Sequence, residues 1–299
     1  LLELREAWPT IGALDAGAPS ELLRSFYRTL AATAVLRPGS TEEFLSVWFP
    51  QDPRVRMLQH EAIAANPHPV GVKDLLLEVG GGARLWGDVH ARHHPTFHRY
   101  QSAFGFYDIF LISAPEGRVL YTVMKETDLG VDLTAPPYRD TGLGRVYARV
   151  IAADWPYAQD GIVIEDFSPY VASSFAPAAF IASRVRVAGA TVGVLAMQIS
   201  IREVDRVMTQ GRNWREGGFG DTGQAYVVGA DHTLRSDLRG LAEDPAAFYA
   251  SLGRAGVDPV IVQRVRTAGT TVLNLPLDLR ADGRVGTAGN DTELGVNLE

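Results

Sequence analysis

Residues 107–122 read YDIFLISAPEGRVLYT, two apolar runs joined by a short turn that holds Pro115 and Gly117. Apolar runs on either side of such a turn predict an antiparallel β-hairpin, and a hairpin with one face on a core begins a sheet. A fainter copy, AYVVGADHTLRS, follows at residues 225–236. The repeat predicts two related modules, each built around an antiparallel sheet.

The composition describes a folded, acidic protein and excludes several kinds of function. The chain has 299 residues, of which 46% are hydrophobic, and its formal net charge is −7. This length suffices for one large domain or two ordinary ones. Because no block of Lys and Arg opposes the negative charge, we expect no nucleic-acid partner. The absence of cysteine excludes disulfides, thiolate metal sites and cysteine nucleophiles.

We expect neither a membrane span nor a leader peptide within the chain. No run approaches the roughly 18–20 apolar residues that a span requires, and no charged-then-apolar segment precedes Leu1. Since the chain also begins without Met, we expect a fragment of a longer protein. Any membrane segments of that protein would then lie outside these residues.

The first 66 residues have helical patterning and predict a stalk or bundle beside the sheet. In residues 21–30 the apolar side chains recur at spacings of three and four, and Ser20 before them is a candidate N-cap. A second helix is expected to start near Ser40, with two glutamates in its first turn, where the helix dipole favours acids. A third helical segment is expected at residues 54–65.

The middle of the chain alternates short apolar runs with turns, as expected for the first module. Pro95 is expected to open or kink a helix predicted at residues 88–102. The further elements expected in this module are strands at 107–113, 118–125, 161–167, 178–187 and 191–200, with helices at 142–153 and 201–210.

Residues 211–223 are polar and Gly-rich, which marks a boundary between the modules. Beyond it a helical region is expected at 244–267 and a strand at 270–275, and the signal weakens after Pro276. The predicted fold class is α+β. The predicted domains are an N-terminal helical stalk at 1–66, a first module at 67–210 and a second, reduced or incomplete module at 211–299.

These pieces, in this order, resemble the double Cache sensor domains of bacterial transmembrane receptors. Such domains occur in chemoreceptors, sensor histidine kinases and receptor nucleotide cyclases. The resemblance spans most of residues 66–271 and is carried by six segments: NPHPVGVKDLL (66–76), VHARHHPTFHRY (89–100), YDIFLISAPEGRVLYTVMKETDLGVDL (107–133), DFSPYVASSFAPAAFIA (166–182), GVLAMQISI (193–201) and GDTGQAYVVGADHTLRSD (220–237).

The resemblance implies a long N-terminal helix and two PAS-like modules, with small-molecule recognition mostly in the membrane-distal one. Residues 67–210 match that distal module. Two parts of the chain depart from the family pattern. The first 50 residues match it only as generic helix, and no closing antiparallel strands follow Leu275, so the membrane-proximal module is expected to be truncated or altered.

In PAS-like sensors the ligand lies between the sheet and the loop and helix that cover it, among a few polar groups. The resemblance implies eight candidate ligand-binding residues: Tyr121, Tyr138, Asp166, Phe167, Tyr170, Ser174, Phe180 and Gln198. A partly buried Asp166 would accept a ligand ammonium. Gln198 stands where similar amino-acid-binding proteins place a carboxylate, which argues against simple amino-acid binding. Alternatively, Tyr121, Tyr138 and Phe180 are core aromatics, Asp166 is a turn or capping acid, and Gln198 is a cross-strand hydrogen bonder.

The histidines at 90, 93, 94 and 98 form the densest set of potential metal ligands, three of them at helical spacing. Pro95 disturbs that face and no acid lies within the run, so we expect a partly exposed helix end and no metal. We expect no cofactor either, because the glycines at 80–82 and 217–220 do not follow a strand and open a helix.

Catalysis is not implied by the remaining polar residues. Ser173 and Ser174 lack the pattern of a nucleophile elbow. Asp128, Asp132 and Asp140 lack the spacing of a calcium-binding loop.

These observations favour ligand sensing on the extracytoplasmic, periplasmic face of a bacterial inner membrane. A small polar ligand of amine, amino-acid-like or carboxylate type would bind the distal module and shift it between two conformations, for which it must have unequal affinity. The resemblance also implies a homodimer through the N-terminal helix, and membrane attachment through segments outside these residues. Two alternatives stay open: a soluble periplasmic binding module that does not signal, and a metal-dependent enzyme that uses His90–His98.

Overall fold

The structure is a computed structural model that describes residues 1–14, 17–33, 39–152, 161–279 and 285–286. Contacts between residues divide the chain into two units, Leu1–Ser200 and Ile201–Glu299. The first unit holds the N-terminal helices together with the large sheet, and the Gly-rich residues 211–223 lie inside the second unit. The finer division into three domains stays a prediction.

The two hairpins predicted in the first module join into one antiparallel sheet. Its strands are β1 Asp108–Ser113, β2 Val119–Thr122, β3 Val163–Pro169, β4 Pro177–Val187 and β5 Ala190–Ile199. The order across the sheet is β2-β1-β5-β4-β3. Because β1 pairs with both β2 and β5, the two hairpins share a single hydrogen-bonded ladder. Together with the helices around it, this sheet confirms the α+β class.

Six α-helices accompany the sheet in the described part of the first unit: α1 Leu2–Ala7, α2 Ala18–Thr33, α3 Thr41–Trp48, α4 Pro53–Gln59, α5 Arg84–Phe104 and α6 Gly142–Ile151. The resemblance implies a long N-terminal helix, but α2, the longest helix described within residues 1–66, has only 16 residues, whereas α5 has 21. Pro95 lies inside α5 and does not open it, because the helix already starts at Arg84. The helix ends at Gly105, whose φ of +73° is the left-handed conformation that glycine adopts without strain.

Helices cover both faces of the sheet. Successive residues of a strand point to opposite faces, so β1 contributes to two hydrophobic cores. Leu111 packs with Trp86 of α5 and with α1 on one face. Phe110 packs with Tyr27 of α2 and with α3 and α6 on the other face, which we call the α6 face.

The two predicted helix caps have different outcomes. Ser40 caps α3: its hydroxyl accepts from Glu43 N at 3.2 Å, and the Glu43 carboxylate accepts from Ser40 N at 2.5 Å, a complete capping box. The prediction that Ser20 caps the preceding helix is wrong. That helix begins at Ala18, and its first turn is closed by a hydrogen bond from Glu21 N to Gly17 O, so Ser20 lies inside it.

Ser40→Ala is expected to lower the free energy of unfolding by about 1 kcal/mol, because Glu43 N loses its acceptor. Thermal denaturation measures the change. Ser46→Ala, an exposed position in the same helix, is the matched control and should leave the stability within about 0.5 kcal/mol. Equal effects of the two substitutions would show that the capping box contributes nothing.

The second unit is mainly helical in its described residues. Its elements are α7 Ile201–Met208, α8 Arg239–Glu243, α9 Pro245–Arg254, α10 Pro259–Ala268, β6 Asp278–Leu279 and β7 Val285–Gly286. A small core holds it together, formed by Leu234, Leu238, Leu252, Val257, Val265, Leu275 and Leu277. Within 201–279 and 285–286 the β-structure is confined to the β6-β7 pair and isolated bridges. That this unit is a reduced or incomplete second module stays a prediction.

The predicted echo of the first hairpin is a single bridge between Val228 and Leu234. The predicted strand at 270–275 is wrong, because these residues form a turn. The cause is Asp237, whose Oδ1 accepts from Thr270 Oγ1 at 2.8 Å and from Thr271 N at 2.6 Å and so holds the backbone out of a ladder.

None of the helices in the described residues has the length and apolar character that crossing a bilayer requires.

Candidate ligand-binding site

Three carboxyl groups lie within electrostatic reach of one another at one end of the first hairpin. Asp108 begins β1, and Glu126 and Asp128 follow β2. Because the two strands are antiparallel, the start of one and the end of the other lie at the same edge of the hairpin. We call Asp108, Glu126 and Asp128 the acid cluster.

The strand register adds an amide and an aromatic ring to this cluster. Asp108 pairs across the sheet with Gln198 of β5, which pairs in turn with Phe180 of β4. Cross-strand partners share a face, and Phe180 belongs to the core of the α6 face. All three side chains are buried, with exposed fractions of 0%, 4% and 0% in that order.

Asp108 has a full set of hydrogen bonds. Its Oδ1 accepts from the backbone N–H groups of Ile109, Val123 and Met124 at 2.7, 2.7 and 3.1 Å. Its Oδ2 accepts from Thr122 Oγ1 at 2.5 Å. Asp108 therefore fixes the backbone that leads from β2 into the other two acids.

Glu126 ends a hydrogen-bond chain that starts on β5. Gln198 Nε2 donates to Ser173 Oγ at 3.0 Å, and Ser173 Oγ donates to Glu126 Oε2 at 3.4 Å. The other oxygen, Oε1, accepts from Tyr107 Oη at 2.6 Å. The chain links the acid cluster to the segment between β3 and β4, which holds Ser173.

Asp128 is fully buried and only half satisfied. Tyr170 Oη donates to its Oδ2 at 2.7 Å, whereas its Oδ1 has no hydrogen-bond partner. The amide oxygen of Gln198 and the hydroxyl of Thr127 also lack partners, and both side chains are buried. Buried polar atoms are normally hydrogen-bonded, so the two orphan acceptors, Asp128 Oδ1 and Gln198 Oε1, indicate a site for a donor.

The charge of the acid cluster is not balanced by the protein. None of its carboxyls forms an ion pair with Lys or Arg in the described part of the chain. Burial, followed by the charge of Asp128, raises the pKa of Asp108 to about 8. Burial raises the pKa of Asp128 to about 6, and burial and the charge of Asp128 raise the pKa of Glu126 well above its ordinary range.

The nearest cation in sequence, Lys125, is buried but turned to other partners. Its Nζ donates to Val123 O at 3.1 Å and lies 3.3 Å from His94 Nε2, with no hydrogen bond to the acid cluster. Burial lowers the pKa of Lys125 to about 7, against the charges of Asp108 and Asp74. Lys125 therefore leaves the orphan acceptors of Asp128 and Gln198 without a donor.

The segment that carries Asp128 is anchored by Gln59 at the end of α4. Gln59 Nε2 donates to Thr127 O at 2.8 Å and to Leu129 O at 2.9 Å, and Gln59 Oε1 accepts from Tyr27 Oη at 2.7 Å. Tyr138 Oη also donates to Thr127 O, at 2.9 Å. The backbone on both sides of Asp128 is thus tied to the helices of the first unit.

Four of the eight predicted site residues come together at the acid cluster. Tyr170 contacts Asp128 directly, and its ring packs edge-on against Phe180 with centroids 5.0 Å apart. Tyr138 supports Thr127, and Gln198 begins the chain to Glu126. Their role in ligand binding stays a prediction, but their positions are close to the orphan acceptors.

The other four predicted residues make no contact with the acid cluster that the structure shows. Tyr121 lies on the opposite face of the sheet, where its hydroxyl donates to His94 Nδ1 at 2.7 Å. Asp166 is exposed, not partly buried as expected, because the β3-β4 register shifts between Glu165 and Ser168 and takes it out of the ladder. Phe167 lies in the same shifted segment, and Ser174 is a half-buried residue in the turn before β4.

The acid cluster itself was not predicted from the sequence. In the sequence Asp128 is a candidate only for calcium binding, and no motif singles out Asp108 or Glu126. One signal was available: Asp108 opens a strand, DIFLIS, in which every residue is buried. An acid at the edge of so apolar a run has to be buried with it or leave the strand.

The histidine run lies along α5 on the face opposite the acid cluster. The rings of His90 and His94 stack with centroids 4.4 Å apart, and the ring of His98 lies tilted beside His94 at 5.8 Å. Their nitrogens contact protein acceptors, among them Leu77 O for His90 and the Asp74 carboxylate for His98. The described residues contain no group of three or more His, Asp or Glu side chains arranged to hold a metal ion.

The sequence matches no family model and no curated protein. Among solved structures, it is similar to the ligand-binding domain of the Pseudomonas fluorescens chemoreceptor CtaA. The structure with L-serine is 14% identical over 89% of this chain and 86% of that chain, with a TM-score of 0.33. The structure with L-alanine is 13% identical over 92% and 88%, with a TM-score of 0.30. Likenesses of this size leave the function to be inferred from the site's own residues.

Proposed function

We propose that the first unit binds a small ligand with a protonated amine, as the extracytoplasmic sensing domain of a bacterial transmembrane signalling receptor. One observation carries the proposal: buried next to unbalanced carboxyls, Asp128 Oδ1 and Gln198 Oε1 have no donor. An ammonium group supplies up to three N–H donors and the missing positive charge at once. The ring of Tyr170, beside Asp128, adds an aromatic surface that favours a cation.

The charge of Asp128 disfavours an anionic ligand that lacks an amine. A carboxylate placed here would meet that charge and the orphan oxygens of Asp128 and Gln198, which cannot donate to it. The ligand is therefore an amine or an amine-bearing amino acid, and the ammonium is the group that the site recognises.

The assignment to a membrane receptor is supported by the order of the six matching segments between residues 66 and 271. Placement on the periplasmic face, a homodimer through the N-terminal helices and attachment to a membrane are parts of the same proposal. The parent gene tests them: the proposal requires apolar segments of about 20 residues flanking this region.

The amine is tested with matched sets of three compounds in a thermal-shift screen followed by calorimetry. Each set holds an amino acid, the amine without its carboxylate and the acid without its amine, for example L-serine, ethanolamine and 3-hydroxypropanoate. We expect every compound that binds to carry the amine. Because the empty site holds protons at neutral pH, binding should also release protons and make the measured heat depend on the buffer. A ligand that binds through its carboxylate alone contradicts the proposal.

Tyr170→Phe is expected to raise the pH at which amine affinity is lost. In the wild type, affinity should fall as the pH drops through the pKa of Asp128, about 6. The Tyr170 hydroxyl lowers that pKa by donating to the carboxylate, so its removal raises the pKa further. Calorimetric titrations between pH 5 and pH 8 measure the midpoint. Tyr138→Phe is the matched control, because that hydroxyl donates to the Thr127 carbonyl; equal midpoints in both variants would overturn the assignment to Asp128.

A further inference from the structure

A groove of about 440 Å³ lies in the second unit and is lined by α7, the turn after it and α8. On α7 the lining residues Arg202, Asp205 and Arg206 are three and four positions apart, so they share one face of the helix. Arg212 lines the groove from the turn, and Leu241 lines it from α8. The site proposed above lies in the first unit and uses none of these residues.

Two arginines at this groove have unused donors. Arg206 is neutralised by its neighbour, since its Nε donates to the Glu203 carboxylate at 2.7 Å. Arg202 and Arg212 are exposed, and their guanidinium groups form no hydrogen bond or ion pair within the described residues. A guanidinium presents five N–H donors in a planar fork that matches a carboxylate. The groove therefore offers two cationic groups to an anionic ligand.

The aspartates of the groove are engaged by the protein. Asp205 Oδ1 accepts from Asp237 N at 2.7 Å. Asp237 Oδ1 in turn accepts from Thr271 N at 2.6 Å and from Thr270 Oγ1 at 2.8 Å. These hydrogen bonds tie α7 to the segments before α8 and after α10. The two carboxylates thus hold the walls of the groove together, and the unpaired arginines are the groups available to a ligand.

Arg212 is held in a backbone conformation that favours glycine. Its φ is +71°, after +49° at Gln210 and +69° at Gly211, so three successive residues are left-handed. Arg212 N donates to the carbonyl and hydroxyl oxygens of Thr209, at 2.9 and 3.1 Å, which fixes the turn at the end of α7. Strained residues of this kind cluster at ligand-binding positions. The turn uses only the backbone of Arg212, so its side chain is available to a ligand.

We propose that this groove binds a small dicarboxylate, with one carboxylate at Arg202 and the other at Arg212. The two arginines stand at opposite ends of the polar face of α7. Arg202 precedes the last residue of the helix, Met208, by six positions, which is about 9 Å of helix, and Arg212 follows that end. Two carboxylates joined by a short carbon chain match two cations held apart better than a single phosphate does.

Calorimetry on the 299-residue chain with succinate, butyrate and inorganic phosphate tests the site. Succinate should bind about tenfold more tightly than butyrate, which has the same number of carbons but one carboxylate. Arg202→Gln and Arg212→Gly should each weaken succinate binding about tenfold. Arg254→Gln is the matched control: it removes the charge of an exposed arginine of α9 outside the groove and should leave succinate affinity unchanged.

Arg212→Gly also separates loss of binding from loss of fold. Glycine adopts a φ of +71° without strain, so the melting temperature of this variant should be kept or raised while succinate affinity falls. A variant that keeps its melting temperature and its succinate affinity would remove Arg212 from the site.

Asp205→Asn should raise the affinity for succinate about two- to fivefold at pH 7.5. Burial raises the pKa of Asp205 to about 6, so its carboxyl is still ionised at this pH and repels a dianion in the groove. The asparagine oxygen can still accept from Asp237 N, so the wall of the groove is kept. Unchanged or lower succinate affinity would place the dicarboxylate outside the groove.

Three further outcomes would overturn the proposal: a wild type that does not bind succinate, equal affinities for succinate and butyrate, and tighter binding of phosphate than of succinate. Asp128→Asn keeps this site apart from the amine site. Succinate affinity should be unchanged in that variant, and its loss would move succinate to the acid cluster and refute the groove. Repeating the amine screen on Arg212→Gly removes binding at the groove, so either proposal can fail without the other.

Discussion

Asp128→Asn should weaken amine binding about 10- to 100-fold and raise the thermal stability of the ligand-free protein. The affinity falls because a charge-assisted hydrogen bond from the ammonium, about 1.5–3 kcal/mol, is lost. The stability rises because a fully buried carboxylate without a cation becomes a neutral amide of the same shape. The asparagine oxygen can still accept from Tyr170 Oη, so the existing hydrogen bond is kept.

The stability gain of Asp128→Asn should depend on pH in a defined window. Burial raises the pKa of Asp128 from 3.8 in the unfolded chain to about 6 in the folded protein. Between these values the folded state holds the proton that the unfolded state has released, so the stability of the wild type falls as pH rises. The difference between variant and wild type should be near zero at pH 4, grow towards pH 6 and then stay constant, at of the order of 3 kcal/mol.

Thermal denaturation of the wild type and Asp128→Asn between pH 4 and pH 8 measures the change in stability. Titration of both proteins with the amine found in the screen measures the change in affinity. Asp140→Asn is the matched control, because Asp140 is exposed and pairs with Arg139 on the surface at 3.1 Å. Asp140→Asn should change neither the free energy of unfolding nor the free energy of amine binding by more than about 1 kcal/mol. Unchanged amine affinity in Asp128→Asn would remove Asp128 from the site, and lower stability at pH 7 would show that its carboxylate stabilises the empty fold.

Gln59→Leu is expected to cause the largest loss of stability of the substitutions considered. Leucine fills a similar volume but leaves the carbonyl of Leu129 and the hydroxyl of Tyr27 without their partner, and it removes one of the two donors to the carbonyl of Thr127. Each buried unsatisfied group costs about 1–3 kcal/mol, so the melting temperature should fall by roughly 10–20 °C. Amine affinity should fall as well, since the backbone on both sides of Asp128 loses its anchor.

Tyr27→Phe is the matched control for Gln59→Leu, because it removes one hydrogen bond and leaves the two to the carbonyls intact. Its expected cost is about 1 kcal/mol, with little change in amine affinity. Differential scanning calorimetry gives both stabilities. Should Gln59→Leu cost no more than Tyr27→Phe, the carbonyl hydrogen bonds would contribute nothing to the fold.

The sequence predicted the elements of the first unit well because their signals are local. The hairpin at 178–200 is found at Pro177–Ile199, and the capping box at Ser40 is present. Such patterns depend on a few neighbouring residues, whose apolar spacing and turn chemistry favour one backbone conformation. The strand predicted at 270–275 is wrong because a distant residue, Asp237, holds that segment in a turn.

The candidate site could be predicted only in part. The family resemblance implies Tyr138, Tyr170, Phe180 and Gln198, and these four lie at the acid cluster. The cluster was missed because acids beside a turn are usually solvated, and burial of Glu126 and Asp128 depends on helices far away in the sequence.

The amino-acid sequence was sufficient for the existence, order and approximate bounds of the strands and helices of the first unit, because these follow from local periodicity and turns. It was not sufficient for the face on which each side chain lies. Tyr121, on the predicted strand, faces His94, whereas Asp108 faces the α6 side with Gln198. Strand register and helix packing over long sequence separations set those faces, and with them the burial that leaves Asp128 without a cation.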